Sequence, residues 1–150
     1  MSNAEYAAIY ESALEFFLKQ EIDNPKGRTG GHFTVAPVGD SPNEILSVGI
    51  PLPSLPSADF AAEKAARLIQ NPEHISSFQS RNPEAGQWGG AIRANDQLIF
   101  SMSGMPEHVD EAINLSVALK TGVISEARLM DIVNASRNPY LKYIRIFAAA

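Results

Sequence analysis

The sequence lacks cysteine altogether, which excludes disulfide bonds, thiol catalysis and every cysteine-ligated metal site. Charged residues are also sparse, at 19% of the chain, and the formal net charge is −5. A chain with this acidic balance lacks the basic surface that attracts nucleic acids and anionic lipids. We therefore expect neither a nucleic acid nor a membrane among its partners.

Long apolar runs are missing too. No window approaches the ~18 consecutive apolar residues of a membrane-spanning helix. The first residues also lack the basic segment followed by an apolar segment that marks a secretory leader. These absences predict a cytoplasmic protein.

The chain does contain enough apolar material for a core. Its 150 residues are 45% hydrophobic, which excludes a disordered chain. A chain of this length buries roughly two-thirds of the surface that it exposes when unfolded. Its two turn-rich stretches, residues 23–31 and 81–90, are too short to link two domains. We therefore expect residues 1–150 to form one domain.

Apolar residues recur at helical spacing in four segments, each bounded by capping or terminating signals. The predicted helices cover residues 4–22, 57–70, 107–121 and 125–134. Ser2 and Glu5 have the spacing of a capping box, and Ser57 and Ser125 are predicted N-caps.

Four shorter segments are rich in β-formers and are predicted as strands, at residues 32–38, 45–50, 90–93 and 97–102. Turn-forming residues 39–43 join the first pair and residues 94–96 join the second, so two hairpins are expected. The apolar residues 140–147 suit either a strand or a helix, and both stay open. The order of elements predicts an α/β-type (α+β) fold, with an antiparallel sheet and helices packed on both faces.

Two motifs are typical of one protein family. The first runs from Trp88-Gly89-Gly90-Ala91-Ile92 through Met102-Ser103-Gly104-Met105-Pro106 to Asp110-Glu111-Ala112. The second is Asp59-Phe60-Ala61-Ala62-Glu63-Lys64-Ala65. Over residues 4–122 the chain resembles the GlcG/HbpS-like family of haem-binding or haem-degrading domains, which leaves residues 123–150 as a C-terminal extension.

The resemblance implies a profilin-like sandwich that self-associates into dimers or larger rings and binds haem or a small metabolite. Two features depart from the family pattern. Residues 49–54 contain no charge where the family has an Arg-Met-Asp-Gly-Ala-like stretch, and Leu98 and Ser101 replace glycines of the last strand. Larger side chains at those positions would fill space that the family leaves open, so a degenerate pocket is the alternative.

The candidate ligand site is the turn that precedes the third predicted helix. Free backbone amides at a helix start attract anions, and an imidazole there tends to be neutral. An aromatic side chain beside two glycines is suited to wall a ligand pocket. The second predicted helix would contribute an acid and a lysine. The candidate ligand-binding residues are therefore Ser103, Gly104, His108, Asp59, Lys64 and Trp88.

His32 and His108 are the candidate metal or haem-iron ligands, although a surface or turn histidine is the simpler interpretation of each. Asp110 and Glu111 point about 100° apart on a helix, so they are expected to complement the helix dipole rather than share a site. If Asp110 or Glu107 caps the first-turn amides, an anion binds weakly. We expect this capped arrangement, in which Ser103→Ala changes stability more than ligand affinity.

The sequence favours a self-associating module that binds a small molecule, either haem-like or an organic acid. The alternative is a structural or assembly protein with a degenerate pocket. Catalysis is not favoured, because no pair of mutually activating side chains is visible. Self-association into at least a dimer is expected from the small side chains of the second helix and from the apolar tail. These residues are Ala58, Ala61, Ala62, Ala65, Ala66, Ile144, Ile146 and Phe147.

Overall fold

A computed structural model describes residues 1–39 and 44–150. The helices are α1 (Asn3–Leu18), α2 (Ser57–Gln70), α3 (Glu107–Lys120), α4 (Glu126–Ser136) and α5 (Leu141–Ala149). The strands are β1 (Thr29–Pro37), β2 (Leu46–Ile50), β3 (Ile92–Arg93) and β4 (Leu98–Ser103). Short 3-10 turns at Ser77–Ser80 and Pro83–Ala85 interrupt the segment between α2 and β3.

The strands form one sheet in the order β2-β1-β4-β3, and every neighbouring pair is antiparallel. The predicted α+β class with an antiparallel sheet is therefore confirmed. Of the predicted turn at residues 39–43, positions 40–43 lie outside the described residues. None of the helices in the described ranges is both long and apolar enough to cross a membrane.

Helices cover both faces of the sheet, as alternation along β4 shows. Phe100 and Met102 join the large core cluster beneath α1 and α3, whereas Ile99 packs with the residues of α2. The Ser101 hydroxyl, on the side of Ile99, donates a 2.7 Å hydrogen bond to the Ala61 carbonyl of α2. Side chains that alternate along a strand thus hold helices on opposite sides of the sheet.

Most predicted boundaries agree with the structure to within a few residues. Helix α2 has the predicted bounds, the Ser2–Glu5 capping box is present, and Ser125 caps α4 through a bond from the Arg128 amide. Two details were wrong. Helix α1 ends at Leu18 rather than at residue 22, and Ser57 is the first residue of α2 rather than its cap. The Ser57 hydroxyl bonds to a histidine ring instead, as described below.

The undecided tail is a helix. The Tyr140 amide donates a 3.0 Å hydrogen bond to Asn138 Oδ1, which forms a turn directly before α5. Ile144 and Phe147 then lie on one side of α5 and are buried in the core of their own chain. The tail therefore does not expose the apolar surface on which self-association was expected to depend, apart from Ile146, which is 48% exposed.

Helix α3 is the central element of the fold. It contacts the sheet, α1, α4 and α5, and residues 109–118 are all buried. Asp110 and Glu111 are consequently each only 1% exposed. Both were expected to complement the helix dipole, and Asp110 does lie in the first turn of α3, but the two carboxylates lie in the protein interior rather than in water. Each carboxylate must therefore find partners inside the protein.

Candidate functional site

A cavity of about 550 Å³ lies where the segment after α1, helix α2, the start of α3 and the α4–α5 junction meet. Its volume falls in the range of small-molecule pockets, roughly 300–1,000 Å³. The apolar part of its wall includes Leu55, Phe60, Trp88, Met105, Pro106 and Pro139. The charged and polar part includes Arg28, Lys64, Ser103, Glu107, His108 and Asp110.

Four of the six predicted ligand-binding residues line this cavity. They are Lys64, Trp88, Ser103 and His108. The structure places the other two elsewhere. Asp59 is exposed on α2 outside the cavity wall. Gly104 also lies outside the wall and packs closely against the backbone of Gly30 and Gly31. Gly104 has φ +129°, and a Cβ there would lie 2.4 Å from the Gly30 carbonyl oxygen, so only glycine suits this turn.

Lys64 reaches from α2 through a gap in the sheet to α3 on the other face. Its Nζ donates hydrogen bonds to the Met102 carbonyl at 2.9 Å and to Asp110 Oδ2 at 3.1 Å. The gap exists because β3 begins only at Ile92, which leaves the Met102 carbonyl free of the ladder. Gly90 has φ +131°, and a Cβ there would lie 2.7 Å from the Lys64 Nζ. Glycine therefore makes room for the ammonium group.

The Asp110 carboxylate is buried on the cavity floor and held from two sides. Oδ2 accepts the bond from Lys64, and Oδ1 accepts a 3.0 Å bond from the Met105 amide. Burial raises the pKa of Asp110 to about 7, although Lys64, the Met105 amide and Arg28 all oppose the shift. Desolvation thus outweighs the ion pair, so this buried acid sits near the balance between its two protonation states at neutral pH.

Arg28 is a candidate site residue that the sequence reasoning missed. It is half-buried in the cavity wall, and its Nε is buried without a hydrogen-bond partner. It also forms no ion pair with any residue in the described ranges. A desolvated guanidinium N–H without an acceptor is unfavourable. A ligand atom that accepts a hydrogen bond from Arg28 Nε would remove this cost. The one sequence signal was a cation in a turn-rich segment that precedes a glycine-rich strand.

The Ser103 side chain is only 6% exposed and lines the same cavity. Its hydroxyl has no hydrogen bond within the part of the chain that the structure describes. The hydroxyl is therefore available to a ligand. The prediction that Ser103→Ala changes stability more than ligand affinity depended on a carboxylate of Asp110 or Glu107 capping the first-turn amides.

The acids at the start of α3 leave its first-turn amides uncapped. Glu107 bonds through both carboxylate oxygens to Arg81 Nε, at 2.8 and 2.9 Å, and one of them also accepts from the Gly89 amide at 3.0 Å. Asp110 bonds to Lys64 and the preceding turn. The N-cap of α3 is Pro106, which offers no side-chain acceptor. The expected capped arrangement thus holds only for the Met105 amide.

Trp88, the one tryptophan of the chain, forms part of the apolar wall. The Arg81 guanidinium lies 5.4 Å from the centre of its ring and 5.6 Å from that of Phe78. Because Arg81 also pairs with Glu107, this cluster fixes the loop against the start of α3. The aromatic wall is therefore preformed.

The two histidines proposed as metal ligands are separated and already bonded. His108 Nε2 donates to the Ser136 carbonyl at 2.9 Å while its ring stacks on Phe78. His32 Nδ1 is hydrogen-bonded to the Ser57 hydroxyl at 2.6 Å, and His32 lies outside the cavity wall. Within residues 1–39 and 44–150, no three histidine, aspartate or glutamate side chains converge to hold a metal ion.

Glu111 faces a separate polar cluster behind the cavity. Its carboxylate accepts hydrogen bonds from the Ser76 and Ser136 hydroxyls and, at 3.1 Å, from Asn138 Nδ2. Burial raises the pKa of Glu111 against the opposing effect of these donors. As predicted, Glu111 and Asp110 do not share a site. Glu111 connects the loop before β3 to the α4–α5 junction, so it braces two walls of the cavity.

Comparison of the chain with protein-family models, with curated proteins and with solved structures gave no match.

Proposed function

We propose that the protein binds a small organic acid in the cavity described above. The apolar body of the ligand would lie against Trp88, Phe60 and Leu55, and its carboxylate would face Arg28 and Ser103. One observation supports this most strongly, which is the buried, unpartnered Nε of Arg28 in the wall of a ligand-sized cavity.

The balance of charges around the cavity favours an anion. Lys64 is paired with Asp110, and Glu107 is paired with Arg81. Asp23 and Lys26 also line the cavity but are exposed to water, whereas Arg28 is half-buried and forms no ion pair within the described ranges. A carboxylate complements it, because guanidinium binds carboxylate through parallel hydrogen bonds.

Arg28 is expected to dominate the affinity. A hydrogen bond to a charged group contributes about 1.5–3 kcal/mol, which corresponds to roughly ten- to a hundredfold in the dissociation constant. The Ser103 hydroxyl would donate a second hydrogen bond to the same carboxylate, which would add at least about 1 kcal/mol.

Haem fits these residues less well than an organic acid does. A haem iron needs an imidazole that faces the cavity with a free ring nitrogen. Among the described residues His108 is the one histidine in the wall of this cavity, and because its Nε2 donates to the Ser136 carbonyl and its ring stacks on Phe78, only Nδ1 is left for an iron. The GlcG/HbpS-like resemblance therefore remains a proposal about ancestry and fold, and we do not extend it to haem. A cytoplasmic location likewise remains a proposal.

The test is a titration with 2-naphthoate, a planar carboxylate, alongside its uncharged analogue 2-naphthylmethanol and hemin. Trp88 fluorescence and calorimetry report on binding. We expect the acid to bind at least about tenfold more tightly than the alcohol, a preference that Arg28→Met removes. Ser103→Ala should weaken acid binding severalfold at little change in stability. Lys142→Met, which removes one exposed positive charge outside the cavity wall, should leave binding unchanged.

Equal affinity for the acid and the alcohol, or a preference that survives in Arg28→Met, would contradict the proposal. A Soret-band titration that saturates at one hemin per chain while 2-naphthoate fails to bind would favour the haem alternative instead.

The second candidate function is assembly, and a specific observation favours it. Strand β2 is an edge of the sheet, and the exposed Ile50 and Leu52 lie at and just beyond its end, 75% and 43% exposed. Edge strands with apolar side chains favour pairing with another chain. We propose that self-association as at least a dimer uses this edge rather than the alanines of α2, because Ala61 and Ala65 pack on the sheet.

A further inference from the structure

Asp110 and an organic acid in the cavity would compete for the same cations. Asp110 is 1% exposed, bonds to Lys64, and lies close enough to Arg28 for that cation to favour its charged form. A ligand carboxylate that pairs with Arg28 would cancel the positive charge that favours the ionised form of Asp110. It would also bring a second negative charge into the same buried space, where two carboxylates do not readily stay ionised together.

Resting on the organic-acid site proposed above, we propose that the acid binds together with one proton, which Asp110 takes up. The proton would move from solvent to a carboxylate oxygen of Asp110, so that the ligand carboxylate remains the one charged acid on the cavity floor. The Lys64 ammonium would keep its bond to the Met102 carbonyl and gain the freedom to interact with the ligand.

The other acids near Asp110 are not placed to take this proton. Both carboxylate oxygens of Glu107 already accept hydrogen bonds from Arg81 Nε, and one of them also accepts from the Gly89 amide. Glu111 lies in a different cluster, where its carboxylate faces Ser76, Ser136 and Asn138 rather than the cavity. Asp23, in the segment after α1, is exposed, so water screens its charge.

The other titratable groups around Asp110 are three cations, a histidine and a tyrosine. Lys64 on α2 and Arg28 in the segment after α1 are the two cations that act on it, and Lys26 is exposed at the rim. His108 on α3 donates through Nε2 to the Ser136 carbonyl, away from Asp110. Directly before α5, Tyr140 contributes a hydroxyl whose oxygen accepts from the Asp23 amide at 2.9 Å.

The sign of the effect follows from linkage. The free protein has an Asp110 pKa of about 7, and binding raises that pKa further because it removes the support of Arg28. Below the pKa of the free protein Asp110 is already protonated, so the affinity for the acid does not change with pH in that range. Above it, binding must take up a proton, and affinity falls by up to about tenfold for each pH unit until the bound-state pKa is reached.

The experiment is calorimetric titration of the full chain with 2-naphthoate at pH 6, 7, 8 and 9. This ligand stays ionised over the whole range, since a carboxyl group titrates near pH 4. We expect the dissociation constant to rise at least about fivefold between pH 7 and pH 9. At pH 8, binding should be measured in two buffers that differ in protonation enthalpy. The difference between the two binding heats, divided by the difference between the protonation enthalpies, should correspond to the uptake of nearly one proton.

Asp110→Asn mimics the protonated acid. This variant should bind 2-naphthoate with an affinity that is independent of pH and, at pH 9, tighter than that of the wild type. Asp59→Asn is the matched control, because Asp59 is an exposed acid on the same helix as Lys64 and lies outside the cavity wall. It should keep the wild-type pH profile.

The possible failures can be told apart. If wild-type protein binds 2-naphthoate with the same affinity from pH 6 to 9 and without proton uptake, proton coupling is wrong while the organic-acid site stands. If Asp110→Asn keeps the pH dependence, another group takes the proton and the assignment to Asp110 is wrong. If wild-type protein does not bind at any pH, the proposed function itself fails. The buffer comparison on wild-type protein decides the question even if Asp110→Asn does not fold.

Discussion

Asp110→Asn also provides a direct test of whether burial outweighs the ion pair with Lys64. The substitution keeps the shape of the side chain and removes its titration. In the wild type the pKa of Asp110 is raised from 3.8 to about 7, so between these values the folded state binds more protons than the unfolded state. Stability contributed by this group is therefore present at low pH and lost as the pH rises through about 7.

The size of the effect follows from the shift. Each pKa unit corresponds to about 1.4 kcal/mol, so the whole displacement is worth about 4 kcal/mol. Between pH 5 and pH 8 only the part from pH 5 to about 7 is crossed, which gives about 3 kcal/mol. Relative to the wild type, Asp110→Asn should therefore gain about 3 kcal/mol in the free energy of unfolding over this range. Glu111 titrates in both proteins and cancels from the difference.

The assay is urea unfolding of both proteins at pH 5, 6, 7 and 8, followed by circular dichroism and Trp88 fluorescence. At pH 5 the difference in the free energy of unfolding between the two proteins includes the loss of the bond to Lys64, so its absolute value is not diagnostic. The change of the difference with pH is diagnostic. A difference that stays constant within about 0.5 kcal/mol, or that shifts in favour of the wild type as the pH rises, would refute the reasoning, because it would mean that Lys64 outweighs desolvation.

Three further predictions concern the surroundings of the site. Tyr10→Phe should lower the free energy of unfolding by about 1–3 kcal/mol in chemical denaturation, because it leaves the buried Asn114 Oδ1 without the tyrosine hydroxyl. Gly90→Ala should lower the free energy of unfolding by at least about 2 kcal/mol in the same assay and weaken 2-naphthoate binding, since its Cβ would displace the Lys64 ammonium. Unchanged stability and binding in this variant would contradict the placement of the Lys64 ammonium beside Gly90. Ile50→Lys should convert the self-associated protein to monomers in light scattering while the circular dichroism spectrum stays unchanged, and a wild type already monomeric at micromolar concentration would contradict assembly through β2.

Short-range signals in the sequence were sufficient to predict most elements of the fold. The Ser2–Glu5 capping box, the Ser125 cap and the bounds of α2 depend on residues that lie within a few positions of one another. Capping, turn chemistry and helical periodicity act over that distance, so the antiparallel α+β class could be predicted without tertiary information. The same signals placed Ser103 and His108 at the start of α3, beside the cavity.

The chemistry of the site required the tertiary structure. Lys64 and Asp110 are separated by 46 positions and meet only because the sheet leaves a gap opposite Gly90. Arg28 stands in a turn-rich segment with no periodicity, and its role depends on which elements close over its guanidinium. The C-terminal tail suited a strand or a helix until Ile144 packed in the core with α3. Burial arises from contacts between distant segments, and it is burial that turns an acid at a helix start into a group that titrates near neutral pH.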